Sequence, residues 1–478
     1  MKKTTVLAAA LAAAFTLAGC AQIAPDNHAL AKRDIAGAEL SANIKLANEG
    51  WPQAQWWTAY HDEQLNAIIK QALSSGPSLE VAAAHIGTAR SSLSRSVADL
   101  GVDISAYANA NRQRYSGTGL FPAPIGGAYF TEETLRLDLR YNFDWWGKNR
   151  AQVAAAVGEL NAGRAAYAEA EQALAASIAQ SYFRLQGAWA RLANTEQLAA
   201  TQNALVQDKA KRIARGLANA DEQRAAEADL NLIRKQQAQL KADIEHEREA
   251  LRALAGADNT ALADLKPVAL NSAPHALPAR LGMELLARRP DLQAARWKLE
   301  ASLSKIDAAK AAFYPDVNLT GSIGLDSVKL ENLLQTASRT VYIGPTVSLP
   351  LFDSKRLDAQ LDGARTNRNE RIAEYNQTIV EAVREVAQGG AQLQGIEQQI
   401  VQQSAATGLA RAQMASAQAR LDRGLANNSS VLNARLALLK QQDAGLYLQQ
   451  VQLLAEVALT NALGGGYHEE APLATATK

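Results

Sequence analysis

The chain has 478 residues, a formal net charge of +1 and a single cysteine, and only 5 % of its residues are aromatic. The near balance of basic and acidic residues argues against a nucleic-acid partner. One cysteine excludes a disulfide within the chain. Abundant alanine with few aromatic residues suits long, closely packed helices better than a large globular core.

The N-terminus has the pattern of a bacterial lipoprotein signal. Lys2 and Lys3 precede an apolar run that is too short to span a bilayer but has signal-peptide proportions. The run ends in Leu-Ala-Gly-Cys at 17–20, which resembles the lipobox where bacterial lipoproteins are cleaved before a lipidated cysteine. We therefore predict a signal peptide at 1–19 and covalent lipid on Cys20, with no other cofactor. An ordinary signal peptide followed by an incidental cysteine is the alternative.

Four segments alternate between apolar and polar residues and are predicted to be strands: 102–113, 133–146, 316–326 and 340–352. In the second, Arg136, Asp138 and Arg140 alternate with leucines. Alternation over about ten residues is typical of outer-membrane barrel strands, although a half-buried soluble sheet has the same pattern. In a barrel, Arg136, Asp138 and Arg140 are predicted to face the lumen.

Four strands cannot close a bacterial barrel, because about eight is the practical minimum. Unpaired strand edges cannot remain in lipid, so other copies of the chain must complete the barrel, and three copies give twelve strands. Trp145 and Trp146 end the second predicted strand and would lie in an interfacial aromatic girdle. A packed aromatic corner is the alternative for this pair.

Long helices account for most of the remaining sequence. No proline occurs from 147 to 215 or from 354 to 423, and nearly 70 helical residues give a rod of roughly 100 Å. Their apolar residues follow heptad-like spacing, which favours left-handed packing between helices. On the helices alone a fibrous coiled coil would be the preferred interpretation, but the strands lead directly into them.

An internal repeat relates the two halves of the chain with an offset of 208 residues. Its clearest members are the tetrapeptides Arg-Gly-Leu-Ala at 215–218 and 423–426. Each glycine would permit left-handed backbone where a long helix ends and a shorter one begins. An apolar residue at an exposed tip suggests a binding partner, whereas a simple helix cap is the alternative. The predicted docking residues are Arg215, Gly216, Leu217, Ala218, Arg423, Gly424, Leu425 and Ala426.

Several motifs together resemble one family. Leu-Leu-Ala-Arg-Arg-Pro-Asp-Leu at 285–292 and Phe-Tyr-Pro-Asp-Val-Asn-Leu-Thr-Gly at 313–321 are similar to the hallmark of TolC-type outer-membrane efflux lipoproteins, the outer membrane factor family in its OprM and NodT branch. Trp56-Trp57 resembles the opening of the mature family domain, and 144–148 resembles a strand-to-helix junction. The resemblance covers residues 21 to 464.

This resemblance implies a mainly α fold with a small β part. It implies a homotrimer in which a twelve-stranded outer-membrane β-barrel, four strands per chain, continues into a long periplasmic α-helical barrel with an internal two-fold repeat. The predicted divisions are a lipidated and equatorial segment at 20–61, a first repeat at 62–256, an equatorial linker at 257–281, a second repeat at 282–464 and a tail at 465–478.

The resemblance also implies function. The chain is expected to be the passive outer-membrane channel of a tripartite pump that exports drugs or small toxic compounds. Its expected partners are a periplasmic adaptor, an inner-membrane pump of RND or similar type, and outer-membrane lipid. A channel for type I protein secretion and a periplasmic scaffold without a pore are the alternatives. No enzyme or metal site is expected, because the six histidines have no metal-ligand spacing and no nucleophile elbow occurs.

In family relatives acidic residues follow the second tip and narrow the pore. Here Asn427, Ser430 and Asn433 take that place, while Asp221 follows the first tip. These four residues are the predicted lining of the periplasmic pore, and the change of residue type makes a cation-binding carboxylate ring doubtful.

Overall fold

The computed structural model describes residues 23, 25–35, 40–41, 43–46, 48–258, 262–273, 275–278, 281–350 and 353–468. After a 3₁₀ turn at Trp56–Tyr60, the helices of the described part are α1 Glu63–Ser75, α2 Pro77–Ala98, α3 Lys148–Ile213, α4 Ala220–Ala255, α5 Gly282–Arg288, α6 Pro290–Ala311, α7 Ser354–Asp422 and α8 Asn428–Ala462. The strands are β1 Val102–Arg114, β2 Tyr129–Asn142, β3 Asp316–Ser327 and β4 Arg339–Ser348. Two further 3₁₀ turns, Leu330–Asn332 and Thr336–Ser338, connect β3 to β4.

The same order of elements occurs twice: two helices, two strands, a long helix and a shorter helix. The long helices α3 and α7 have 66 and 69 residues, so each is about 100 Å long at 1.5 Å per residue. Helix α3 packs against α4, α6 and α8, and α7 packs against α6 and α8. Two antiparallel hairpins, α3–α4 and α7–α8, therefore lie side by side with α3 and α8 in contact.

Among the described residues, no helix combines the length and the hydropathy needed to cross a membrane.

The four strands form one antiparallel sheet in the order β1-β2-β3-β4. Their register keeps the alternation in phase: Leu137 lies opposite both Ala106 and Ile323, and Ile323 lies opposite Val341. Because alternate residues of a strand point to opposite faces, the apolar residues of all four strands share one face.

The predicted bounds of two strands were wrong. Strand β2 begins and ends four residues before the predicted 133–146, and β4 ends at Ser348 rather than at 352. The backbone leaves β2 because Asp144 and Gly147 both adopt positive φ, 45° and 73°. The Asp144 carboxylate then accepts hydrogen bonds from the backbone N–H groups of Asn149 and Arg150, both at 2.9 Å, and so caps the first turn of α3.

Two apolar clusters surround the middle of the long helices and reflect the repeat. The first joins the Trp56–Tyr60 turn and α1 to α3, α4 and α8, and the second joins residues 277–292 to α7 and α8. Arg289 ties the second cluster together: its guanidinium contacts the carboxylates of Asp291 at 2.7 Å and Glu385 at 2.8 Å, and the carbonyl oxygen of Ala462 at 2.8 Å. The arginine of the resemblance motif is therefore a buried structural link.

Residues 26–33 lie along α7 and form what we call the N-terminal clasp. Asn369 accepts a hydrogen bond from the N–H of Leu30 at 3.2 Å and donates one to the carbonyl of His28 at 2.8 Å. One heptad later Asn376 repeats the arrangement with Arg33 and Ala31, at 2.7 and 3.0 Å. Two helix side chains thus bind an extended backbone as a neighbouring strand would.

Candidate functional site: the sheet faces and the helical tips

One face of the sheet is apolar and largely uncovered within the chain. The relative exposure reaches 63 % at Ile104, 50 % at Leu137 and 74 % at Val341. A contiguous apolar face of this kind marks contact with lipid or with another protein. Both outer strands, β1 and β4, also present an unpaired edge within the described sheet. The side chains that share this face are Val102, Ile104, Ala106, Ala108, Leu135, Leu137, Leu139, Tyr141, Leu319, Ile323, Leu325, Val341, Ile343 and Val347.

The opposite face carries the three charged residues that the sequence singled out. Arg136 Nε lies 3.0 Å from Asp138 Oδ2, and its guanidinium lies over the ring of Tyr107 at 4.5 Å from the centroid. Arg140 lies directly opposite Asp103 on β1. Arg136, Asp138 and Arg140 therefore share a face, and that face is polar. Their position in a lumen stays a prediction.

The tryptophan pair follows β2 instead of ending it. Trp146 donates a hydrogen bond from Nε1 to the carbonyl of Pro315 at 2.8 Å and stacks on Tyr314 with ring centroids 4.6 Å apart. Trp145 is 60 % exposed and packs near Phe143. Trp146 thus forms the packed corner that was the alternative interpretation, whereas the girdle remains untested for Trp145.

The two helical tips have the same backbone geometry. Gly216 and Gly424 have φ of 69° and 71°. The N–H of Leu217 donates to the carbonyl of Arg212 at 2.9 Å, and the N–H of Leu425 donates to that of Arg420 at 2.8 Å. Each glycine N–H also bonds three residues back. These paired bonds define a Schellman motif, in which glycine is preferred because it adopts positive φ without strain.

The leucine at each tip is not part of a core. Leu217 is 64 % exposed and Leu425 is 67 % exposed. In a Schellman motif the residue after the glycine usually packs on a residue of the last helical turn, but that position is Arg212 or Arg420 here. The leucines consequently project from the tips without the apolar contact that the motif normally provides. Arg215, Ala218, Arg423 and Ala426 lie beside them in the same turns.

The predicted pore residues do not converge within the chain. Asn427 caps α8: its Oδ1 accepts hydrogen bonds from the N–H and the Oγ of Ser430, both at 2.9 Å. Asp221 forms an exposed ion pair with Arg224 at 2.7 Å, and Asn433 is exposed on α8. The first tip has the same cap, because Asn219 accepts from the N–H of Glu222 at 2.9 Å. Lys209 hydrogen-bonds the Glu222 carboxylate and lowers its pKa.

The sequence did not reveal a polar link between the two hairpins near their tips. The Asp208 carboxylate on α3 accepts a hydrogen bond from Ser429 Oγ on α8, and Asn428 Nδ2 lies 3.4 Å from it. Farther up, Arg191 pairs with Asp443 at 3.1 Å. No local pattern marks these contacts, because their partners lie more than 200 positions apart.

Histidine 275 is a second site that the sequence left unassigned. Its Nε2 lies 2.7 Å from Glu397 Oε1 on α7, and its Nδ1 lies 3.4 Å from Glu456 Oε1 on α8. Glu456 is only 2 % exposed and also accepts hydrogen bonds from Ser272 and Gln452. The hydrogen bonds that His275 donates to Glu456 and Glu397 raise its pKa to about 9 against the opposing effect of burial. The cluster links the 257–281 segment to both helices of the second hairpin.

Across the described residues, no three histidine, cysteine, aspartate or glutamate side chains are grouped as metal ligands would be. Cys20 lies outside the described residues, as does the predicted tail beyond His468.

Comparison with known proteins agrees with this architecture. The family model for outer membrane efflux proteins matches residues 68–257 and 281–465, one segment in each repeat. The multidrug resistance outer membrane protein MdtP of Shigella flexneri is 36 % identical over 470 residues, which covers 97 % of this chain and 96 % of that protein. The outer membrane protein VceC of Vibrio cholerae has a TM-score of 0.79 at 33 % identity, covering 87 % of this chain and all of that one. The outer-membrane channel OprN has a TM-score of 0.80 at 25 % identity, covering 93 % and 99 % of the two chains.

These comparisons confirm the predicted fold class: the chain is mostly helical with a small strand part, and its structural neighbours are trimeric channels with a β-barrel and a helical barrel. They also confirm the predicted role as an outer-membrane efflux channel component, and the family and its neighbours are channel proteins. The chain belongs to the outer membrane efflux protein family.

Proposed function

We propose that three copies of this chain form the passive outer-membrane channel of a tripartite pump that exports drug-like or small toxic compounds. The observation that carries the proposal is the sheet, whose four strands keep their apolar residues on one face while both edges stay unpaired. Strand edges in lipid need partners, so β4 of one copy would pair with β1 of the next. Three sheets then give the twelve strands that a closed barrel allows.

The cargo is inferred from the relatives. MdtP carries multidrug resistance in its name, and it matches this chain over nearly its full length. The chain itself is proposed to supply a passive passage. An inner-membrane pump is therefore expected to provide the energy, and the pump is expected to determine most of the cargo selectivity.

We further propose that Cys20 carries lipid and anchors the chain at the membrane surface. Ile23 packs near Leu357 and Leu361, in the first two turns of α7 directly below the sheet. Cys20 is three positions before Ile23, a separation of at most about 10 Å along the chain, so a lipid on Cys20 would be held near the level at which the strands end. A lipid anchor at the end of the strands would lie at the membrane surface, and several acyl chains together would make the attachment stable.

The tips are proposed to contact a periplasmic adaptor. Leu217 and Leu425 are exposed at repeat-related positions, and the backbone around them is fixed by two hydrogen bonds in each Schellman motif. A rigid turn that presents a leucine costs little entropy on binding. Six such tips in a trimer would form a ring at the periplasmic end.

The sheet faces can be tested with one adjacent pair of residues on β2. Leu139→Arg places a charge on the apolar face and should reduce assembled trimer, because an arginine near the bilayer midplane costs about 2–4 kcal/mol. The matched control Arg140→Leu changes the polar face and should leave trimer yield intact while altering single-channel conductance. Heat-modifiable trimer on gels and conductance in planar bilayers are the two measurements. Equal tolerance at both positions would contradict the assigned faces.

The tips can be tested separately from the barrel. Leu425→Asp should leave the trimer and its conductance intact but abolish cross-linking to the cognate adaptor and restore drug susceptibility, because a charge against an apolar surface without a partner is costly. Leu232→Asp, an exposed leucine on α4 away from the tips, is the matched control. If the Leu425→Asp trimer showed normal cross-linking and normal resistance, the repeated motif would act only as a helix cap and not as a docking site. Loss of protein export with unchanged drug susceptibility would favour the secretion alternative.

A further inference from the structure

A cavity of about 140 Å³ lies between the Trp56–Tyr60 turn, the 257–281 segment and the end of α8, and we call it the equatorial cavity. A water molecule needs only about 10–15 Å³ of such volume, so the cavity has room for a molecule with several heavy atoms. Its walls combine aromatic rings with charged side chains. This combination of chemistry indicates which kind of molecule the cavity can hold.

The aromatic walls stand at right angles to each other. The ring planes of Trp56 and Tyr60 are inclined by 79°, with their centroids 6.4 Å apart. Trp51 also lines the cavity, and the guanidinium of Arg288, which does not line it, lies 5.1 Å from the centroid of this ring. The faces of aromatic rings attract cations, and several rings around one space are typical of sites for alkylammonium groups.

The charged side chains at the cavity have a net negative charge. His275 is protonated at neutral pH, and together with the carboxylates of Glu397 and Glu456 it gives one positive and two negative charges. His275 and Glu456 line the cavity directly, and Glu456 is only 2 % exposed. None of the described residues that line the cavity is a lysine or an arginine. An entering monocation would therefore balance a negative charge that is partly removed from water.

One wall also has a hydrogen-bond donor without an acceptor. Trp56 is 7 % exposed, and its Nε1 has no hydrogen-bond partner among the residues that the structure describes. An indole N–H can only donate, and buried polar groups nearly always have a partner. An oxygen atom on a bound molecule would supply the acceptor that Trp56 lacks.

We propose that the equatorial cavity binds a small alkylammonium ion that carries an oxygen acceptor, of the choline or ethanolamine type. The ammonium group lies between the aromatic walls and close to Glu456, and the oxygen accepts a hydrogen bond from Trp56 Nε1. The bound ion connects the Trp56–Tyr60 turn and the 257–281 segment to α8. This site depends neither on the trimer nor on the exported cargo.

The position of the cavity indicates that its occupant comes from solution. Glu397 follows Asn369 and Asn376 in steps of seven residues, so it lies on the side of α7 that carries the N-terminal clasp. It is also 43 residues after Ser354, which places it about 65 Å from the start of α7 at 1.5 Å per residue. The cavity is therefore too far from the sheet for the headgroup of a bilayer lipid to enter it.

Titration of the purified, detergent-solubilised full chain with choline tests the site, with calorimetry and the change in tryptophan fluorescence as the two measurements. The neutral isostere 3,3-dimethylbutan-1-ol keeps the shape of choline without its charge, and it should bind about tenfold more weakly. Tetramethylammonium keeps the charge without the oxygen, and its affinity should be intermediate. Sodium chloride at the same ionic strength should produce no signal.

Variants of one aromatic wall test the location of the site. Trp51→Ala should lower the affinity for choline about tenfold, whereas Trp51→Phe keeps an aromatic ring and should lower it by about threefold at most. Trp145→Ala removes an exposed tryptophan that follows β2 and does not line the cavity, so it is the matched control and should leave the affinity unchanged.

Two charge variants separate electrostatic binding from structural damage, because they should act in opposite directions. Glu397→Gln removes a negative charge and should weaken choline binding about fivefold. His275→Gln removes the positive charge and should strengthen choline binding by a similar factor. If these residues only supported the local structure, both variants would weaken binding.

Three outcomes would overturn the proposal: a folded chain that does not bind choline, equal affinities for choline and its neutral isostere, or equal losses in Trp51→Ala and Trp145→Ala. Weaker binding in both charge variants would also contradict it. A chain that binds choline but forms no conducting trimer would instead refute only the proposed function.

Discussion

The charge cluster at His275 predicts a stability that depends on pH. Protonated His275 faces Glu397 and the buried Glu456, and hydrogen bonds to these two carboxylates hold its pKa at about 9 instead of 6.5. Because the folded pKa is raised, the stabilisation is fully present below pH 6.5 and is lost as pH rises through about 9. The difference corresponds to about 3 kcal/mol at about 1.4 kcal/mol per pH unit. Glu397 is 37 % exposed, so solvent screening reduces our expectation to about 2 kcal/mol.

The expected result is a difference between wild type and His275→Gln that depends on pH. Denaturant unfolding of the solubilised trimer can be followed by tryptophan fluorescence, since Trp51 and Trp56 line the same cavity as His275. At pH 6 the variant should be less stable by about 2 kcal/mol, because Glu456 loses its cation. Near pH 10 the two proteins should converge. His246→Gln, on the exposed face of α4, should follow wild type at both values. A variant deficit that is the same at pH 6 and pH 10 would refute the electrostatic reasoning.

Two further predictions concern how the chain is held together. Gly464→Ala should prevent the end of α8 from docking, because φ there is +91° and an added Cβ would lie 1.9 Å from the carbonyl oxygen of Arg288. The measurement is the loss of soluble trimer after detergent extraction. A normal yield of trimer would show that this turn can rearrange. Asn369→Ala and Asn376→Ala each remove two hydrogen bonds to the N-terminal clasp and should speed trypsin cleavage within it by about fivefold, about 1 kcal/mol. Asn367→Ala, which removes a hydrogen bond to Glu370 on the same helix, should leave the rate unchanged, and equal rates in all three variants would contradict the clasp.

The elements that the sequence could predict depend on local patterns. Alternation with a period of two assigned the faces of all four strands, and the register of the sheet brought those faces into phase. Alternation did not fix the strand ends, because it continues past the point where pairing stops. The end of β2 is determined by the positive φ of Asp144 and by its capping of α3, and an aspartate four to six residues before a helical run could have indicated that cap.

The sequence alone could not predict contacts between segments that are far apart in the chain. Asn369 and Asn376 are one heptad apart and have the appearance of ordinary polar positions on a long helix. Their role depends on the return of residues 28–33, more than 300 positions earlier in the chain. His275 seemed one of six scattered histidines for the same reason, since its partners lie 122 and 181 positions away on α7 and α8.

The divergence of the two repeats is informative because the constraints on them differ. At the tips the two copies remain the same, with Gly216 and Gly424 at φ near 70° and an asparagine cap three residues later, since the requirement is local backbone geometry. Along α3 and α7 they differ, because one copy of a position packs within the chain while its counterpart is exposed. Leu205 and Gln413 occupy equivalent places on α3 and α7, yet only the leucine is buried. Identity between the repeats therefore marks what the turn requires, and difference between them marks positions where only one of the two copies is packed inside the chain.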